Sequence, residues 1–120
     1  MKNHTTQLTL PTGGHFAVAD VTDELTDALA ESGIRSGHMT ICTSEPGCAL
    51  IVNEKESGLI ADIKEASARL GDGAASPLGS TSVMLPAIDG ELGLGMWQRV
   101  LLVELGSEPS RTVVVQIVGE

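Results

Sequence analysis

Seven polar side chains stand where elements of the sequence begin or end, and so could face a ligand: Glu45, Asn53, Glu54, Asp62, Gln98, Glu104 and Arg111. The spacings around them exclude several chemistries. There is no Gly-x-Ser-x-Gly elbow of the hydrolase type. Gly93-x-Gly95 opens a dinucleotide fingerprint that fails at Gln98, and the segment runs into a strand rather than a helix. The loop 71–81 has no Lys at phosphate-loop spacing. Cys42 and Cys48 enclose five residues, outside the short spacing of zinc knuckles. Cys48 reads as a small buried hydrophobe rather than a nucleophile.

The stretch that positions these groups is Asp89 to Gln98, followed by the apolar run Arg99 to Leu105. Asp89-Gly90 signals a tight turn, because both residues tolerate positive φ. Gly93 and Gly95 remove side chains where a ring or backbone must come close. Trp97, the one Trp of the chain, is expected as a packing anchor whose indole N–H finds one acceptor. Arg111 and Glu104 are expected to pair across the strands of a hairpin, an interaction of small value on an exposed surface.

The remaining elements follow from period and punctuation. Gln7 to Leu10 reads as a strand ended by Pro11-Thr12-Gly13-Gly14, with His15 to Val18 as its hairpin partner. Asp20 is placed to cap a helix whose stripe is Val21, Leu25, Ala28 and Leu29, with Gly33 as its stop and Ile34 packing back. His38 to Thr43 and Cys48 to Asn53 are strands separated by the turn Ser44-Glu45-Pro46-Gly47. A second helix starts near Ser57, capped and stapled by Asn53 and Glu54. It shows an apolar face of Leu59, Ile63, Ala66 and Leu70, widened by Ile60. Glu65 and Arg69 pair on its solvated side, and Asp62 flanks the stripe, where a carboxylate can look into a cleft.

Gly71 to Ser80 reads as a loop, and Ser82 to Leu85 as a short strand closed by Pro86. Arg99 to Leu105 and Thr112 to Val118 are long strands joined as a hairpin through Gly106 to Ser110. The fold class is therefore α+β: a largely antiparallel β-sandwich with two helices packed on one side.

A chain of 120 residues is one domain, 1–120, by size. The formal net charge of −9, with seven scattered Lys and Arg, argues against nucleic acid and anionic membrane as partners. The polar start Met1 to Gln7 has no apolar segment of the signal-peptide kind, and no run reaches membrane-spanning length. A cytoplasmic location with both cysteines as thiols is expected.

Several segments, in order, resemble the YjbQ-like family, described as secondary thiamine-phosphate synthase-like proteins. They are Ile51-Val52-Asn53-Glu54, Glu56-Ser57-Gly58-Leu59-Ile60-x-Asp62, Leu78-Gly79-x-x-Ser82-Val83-x-Leu85-Pro86 and Gly90-x-Leu92-x-Leu94-Gly95-x-Trp97-Gln98. Glu104, Arg111-x-Val113-Val114-Val115, Asp20-Val21-Thr22 and Ser32-Gly33-Ile34-x-x-Gly37 complete the set. The resemblance implies an α+β sandwich, a homotrimer, and a phosphate- and metal-binding cleft near the subunit contacts. It places ligand contacts at Asn53, Gly79, Ser82, Trp97 and Gln98, and a small phosphorylated ligand among the partners.

The chain departs from the family pattern in its imidazoles. Glu45-Pro46-Gly47-Cys48 stands where the family carries His-Thr-Thr-Ala, so a Glu replaces a His. The loop from Gly71 to Ser76 is short and contains no His, and the three histidines, His4, His15 and His38, lie outside the family motifs. The expectation is a degenerate member that keeps fold, oligomer and an anion pocket, with no cofactor and no tightly bound zinc. Two alternatives stand beside it. One is an active thiamine-phosphate synthase-like transferase in which Glu45, Glu54 and Asp62 hold a hard cation such as Mg2+ through oxygen. The other is a structural or regulatory interaction protein.

Overall fold

The computed structural model describes residues 1–13, 17–70 and 79–120. In chain order the elements are β1 (Lys2–Pro11), β2 (Val18–Asp20), α1 (Thr22–Ser32), β3 (Gly37–Cys42), β4 (Cys48–Glu54), α2 (Ser57–Leu70), β5 (Ser82–Ile88), β6 (Glu91–Leu92), β7 (Gln98–Glu104) and β8 (Ser110–Gly119). The strands form a five-stranded sheet in the order β1-β8-β3-β5-β6 and a three-stranded sheet in the order β2-β7-β4. Every strand pair is antiparallel. The fold is α+β, with two helices beside mostly antiparallel sheets.

The core lies where the inner face of the large sheet meets the small sheet and α1. Val113, Val115 and Ile117 alternate inward along β8, and Met39 and Ile41 along β3, all fully buried. Val100 and Leu102 of β7 meet them together with Leu50 of β4. The α1 stripe of Val21, Leu25, Ala28 and Leu29 closes the same core, with Ile34 behind Gly33, the left-handed C-cap at φ 71°. Burying a Leu or Ile side chain in such a core contributes about 1.5–3 kcal/mol. The 3.6-residue spacing of α1 and the two-residue alternation of β8 are thus the sequence features that specify this layer.

Several expectations are corrected here. β1 starts at Lys2 and pairs along its whole length with β8, so the polar N-terminal segment is strand. It has no hairpin with the next segment: β2 pairs with β7 in the other sheet, while His15 and Phe16 lie outside the described residues. Likewise β7 and β8 are not a hairpin. Residues 105–109 carry the chain from one sheet to the other, because both faces of β7 are buried and its edges are taken by β2 and β4. β3 and β4, separated by the Pro46 turn, also belong to different sheets.

Pro86 does not end its strand. β5 runs through it, with His38 opposite, and its carbonyl accepts the Gly93 N–H at 2.8 Å. The Asp89-Gly90 turn is as expected, with φ of 53° and 81° and the hairpin pair Ile88–Glu91 around it. At the start of α1 the cap position is Val21, and Asp20 ends β2, its carboxylate accepting the Thr22 N–H at 3.0 Å. At α2 the cap is Glu56, which accepts from the N–H groups of Gly58 and Leu59 at 2.9 and 2.8 Å. Those two bonds hold the exposed Glu56 carboxyl below its ordinary range. Asn53 and Glu54, expected in that role, sit earlier, at the end of β4.

Leu59, Ile60, Ile63 and Ala66 of α2 are half-buried, and Glu65 meets Arg69 at 2.6 Å on its exposed side. The rest of the loop expected from Gly71 falls outside the described residues as far as 78, and Ser80 then forms a bridge with Leu50.

Candidate functional site

β4 separates the candidate residues into two groups. Its first residue, Cys48, and its last, Glu54, are about 20 Å apart at strand rise. Glu45 and Gly79 gather at the Cys48 end, with Ser82 close by, since the Ser80 hydroxyl donates to the Ser82 carbonyl at 2.6 Å. Asn53, Glu54, Trp97 and Gln98 gather at the other end, because Asn53 lies opposite Arg99 and Glu54 opposite Gln98. Asp62 is on neither: it lies along an open recess of about 460 Å3 on α2, with Glu65, Ala66 and Arg69.

At the Cys48 end, Glu45, Pro46, Cys48, Ala49, Gly79, Ser80 and Thr81 line a recess of about 370 Å3. Behind it Arg111 and Glu104, 6% and 0% exposed, form a two-pronged ion pair with both bonds at 2.7 Å. This corrects the expectation of a pair across one hairpin: the two residues come from different sheets and are buried. Glu104 also accepts the Gly106 N–H at 2.9 Å, and its hydrogen bonds drive the Arg111 guanidinium to a still higher pKa. Glu45 is half-buried, accepts the Thr112 N–H at 2.6 Å and lies 3.9 Å from Arg111. Burial pushes the Cys48 thiol up, while the Thr43 hydroxyl, 3.4 Å away, and the Arg111 charge work against that shift.

These donors do not fit a metal ion. Glu104 is saturated by Arg111 and Gly106, and Glu45 is turned to a backbone N–H and a guanidinium. His4 and His38 stand on β1 and β3 of the large sheet, and His15 lies outside the described residues. Among the described residues no three His, Cys, Asp or Glu side chains converge as a metal site. Glu45, Glu54 and Asp62 therefore do not share a ligand sphere in one chain.

The other end joins Trp97 to residues that sequence reasoning did not place at a site. Asp20, Lys55, Met96, Trp97 and Arg99 line a recess of about 360 Å3. Arg99 donates from Nε to Asp20 at 2.7 Å and from Nη2 to Asp23 at 2.9 Å. The Val100 N–H donates to Thr22 Oγ1 at 2.8 Å, which ties the start of α1 to the start of β7 and fixes where Arg99 projects. Burial acts to raise the Asp20 carboxyl, but the Thr22 N–H and Arg99 outweigh it and hold the group below its ordinary value. The same bonds raise the pKa of Arg99.

Trp97 is 71% exposed and Met96 85% exposed, which corrects the expectation of a core anchor. The ring follows a bend in which Gln98 folds back, its Oε1 accepting the Gly95 N–H at 2.8 Å. The close approach expected of the glycines is real at Gly93, where an added Cβ would meet Pro86 Cγ at 2.4 Å. At Gly95 the nearest atom is the Gln98 side chain at 3.2 Å, so no core packing is engaged there. Lys55 has no ion-pair partner among the described residues. Arg99 was legible as a charge opening an apolar strand. Lys55 carried no periodic signal at all.

The antiparallel α+β fold is shared with known proteins. The model of the family described as UPF0047 protein YjbQ-like matches residues 6–76 and 74–120. A UPF0047 protein of Archaeoglobus fulgidus is 33% identical, the match covering 92% of this chain and 98% of that protein. One from Methanothermobacter thermautotrophicus is 28% identical over 100% of this chain and 95% of its own length. Among solved structures, a YbjQ-like protein of unknown function from Sulfolobus solfataricus superposes with a TM-score of 0.88 at 26% identity, covering 99% of both chains. The chain belongs to the YjbQ-like UPF0047 family.

Proposed function

We propose that this chain is a YjbQ-like domain that keeps the fold, a homotrimeric assembly and a pocket for a small phosphorylated ligand, without an imidazole-based metal centre. The pocket is the Trp97 recess. One observation carries the reading: an aromatic ring that is 71% exposed stands beside an ammonium, Lys55, that has no ion-pair partner among the described residues.

An exposed indole face attracts flat and cationic groups by stacking and cation–π attraction. A lysine ammonium is a point charge suited to phosphate. Arg99, clamped by Asp20 and Asp23, is neutralised and shapes the wall, so Lys55 is left to meet the anion. Gln98 follows the ring at the start of β7, and Asn53 lies opposite Arg99 on β4.

The family resemblance names a probe of this shape, thiamine monophosphate, in which a flat thiazolium carries a phosphate arm. Calorimetric titration with thiamine monophosphate and, separately, inorganic phosphate tests the reading. Saturable binding of the first, weaker binding of the second and loss of both in Lys55→Met are expected. Absence of heat with either compound at millimolar concentration contradicts it.

A further inference from the structure

β1 ends the large sheet, and the ladder shows which of its backbone groups face the outer edge. Ser36 and Glu120 exchange both backbone hydrogen bonds, at 3.1 and 2.8 Å, so even-numbered residues of β8 turn to β3 and odd-numbered ones to β1. Opposite those odd residues stand His4, Thr6, Leu8 and Leu10. The Thr12 N–H, which donates to the Pro109 carbonyl at 3.1 Å, continues the same set. Asn3, Thr5, Gln7 and Thr9 therefore direct their N–H and C=O groups to the free edge, where no described residue pairs with them. Edge strands are ordinarily blunted by charges, bulges or Pro. β1 keeps an unbroken register with β8 along its length, with one charge, Lys2, at its start and Pro11 at its end.

The inward side of this edge is acidic. Leu8 lines a recess of about 220 Å3 with Glu24, Asp27, Ala28 and Glu31 of α1. The three carboxylates lie on one exposed helix face and have no ion-pair partner among the described residues. Like charges three and four residues apart weaken a helix, and Glu31 stands in the last turn, where the dipole disfavours an anion and no basic residue offsets it. In the same inward row of β1, His4 Nε2 is buried without a hydrogen-bond partner among the described residues, an uncommon state for such an atom. We propose that the β1 edge takes an extended segment of another protein, added antiparallel as a further strand and carrying Lys or Arg at alternate positions. Its backbone pairs with Asn3, Thr5, Gln7 and Thr9 over about 20 Å. Its side chains beside Thr6 and Leu8 fall on the inward face, where their cations meet Glu24, Asp27 and Glu31. A second copy of this chain does not fit, because no two of its seven basic residues are two positions apart. The proposal is independent of the Trp97 recess, which shares no lining residue with this one.

The experiment is fluorescence anisotropy on the full chain with three labelled peptides. One alternates Lys and Thr, one alternates Glu and Thr, and the third is the Lys-Thr peptide N-methylated at each Thr, which keeps the charge and removes the backbone donors. Saturable binding of the Lys-Thr peptide is expected, with none by the other two at the same concentrations. Gln7→Pro takes one N–H from the free edge and leaves the β8 ladder intact, while Asp27→Asn with Glu31→Gln removes two charges from exposed surface. Each change is expected to weaken the Lys-Thr peptide about tenfold, with far-ultraviolet dichroism unchanged. An N-methylated peptide that binds as well as its parent, or a folded Gln7→Pro protein that binds like the wild type, overturns the proposal by showing charge attraction without strand addition. Absence of saturable binding by the Lys-Thr peptide at millimolar concentration overturns it as well.

Discussion

Arg111 and Glu104 clasp one sheet to the other through two hydrogen bonds of 2.7 Å, with neither side chain in appreciable contact with water. Removing one member strands the other as a buried charge. Arg111→Leu is expected to cost about 3–5 kcal/mol in a denaturant melt. The double variant Arg111→Leu, Glu104→Leu is expected to recover much of that loss, because no uncompensated charge remains. Additive losses in the double-mutant cycle would show that the pair acts through packing alone.

The two glycines before Trp97 are expected to respond differently. Gly93→Ala places a methyl 2.4 Å from the ring of Pro86, which cannot swing away, and should cost about 1–3 kcal/mol. Gly95→Ala meets the movable end of Gln98 and should change stability by less than about 0.5 kcal/mol. Equal losses from the two variants would place Gly95 in a packed contact it does not make here.

Asp20 makes the fold sensitive to acid. Its folded pKa lies below the ordinary carboxylate value, so folding is favoured by the ionised form. That contribution is present above the unfolded value and is lost as pH falls through the folded one. Asp20→Asn should therefore lower stability by about 1–2 kcal/mol near neutral pH and leave it little changed in strong acid. Denaturant midpoints measured for both proteins from about pH 7 down to pH 2 should converge at the acid end. Parallel curves would remove Asp20 from the acid response.

Metal analysis after a chelator wash should find no stoichiometric zinc, because Glu45 and Glu104 are occupied by Thr112, Gly106 and Arg111. Oxygen donors held in this way bind late transition metals weakly. Retention of one zinc per chain would require these bonds to break.

The sequence carried the layers of this fold more clearly than their connections. The α1 stripe, the Asp89-Gly90 turn and the alternation of the long strands are local signals, and each appears where expected. Which strand pairs with which is set by burial on both faces of β7 and by the length of β1, both non-local. Two hairpins read from short connections are therefore absent. At the candidate sites, cross-strand register sets Asn53 opposite Arg99 and Glu54 opposite Gln98, while Lys55 and Arg99 line a recess with Trp97 that no local spacing in the sequence announces. Trp97 misled because large aromatic residues are usually core, and the bend at Gly95 turns this one outward.

The most direct test uses Trp97 as its own reporter, since the chain has one Trp. Its emission should be quenched saturably by thiamine monophosphate, at lower concentration than by thiamine without the phosphate. Lys55→Met should abolish that difference, while Trp97→Ala should melt within about 0.5 kcal/mol of the wild type. Quenching that rises linearly without saturation, and equally for both compounds in wild type and Lys55→Met, would contradict a phosphate-holding pocket at this site.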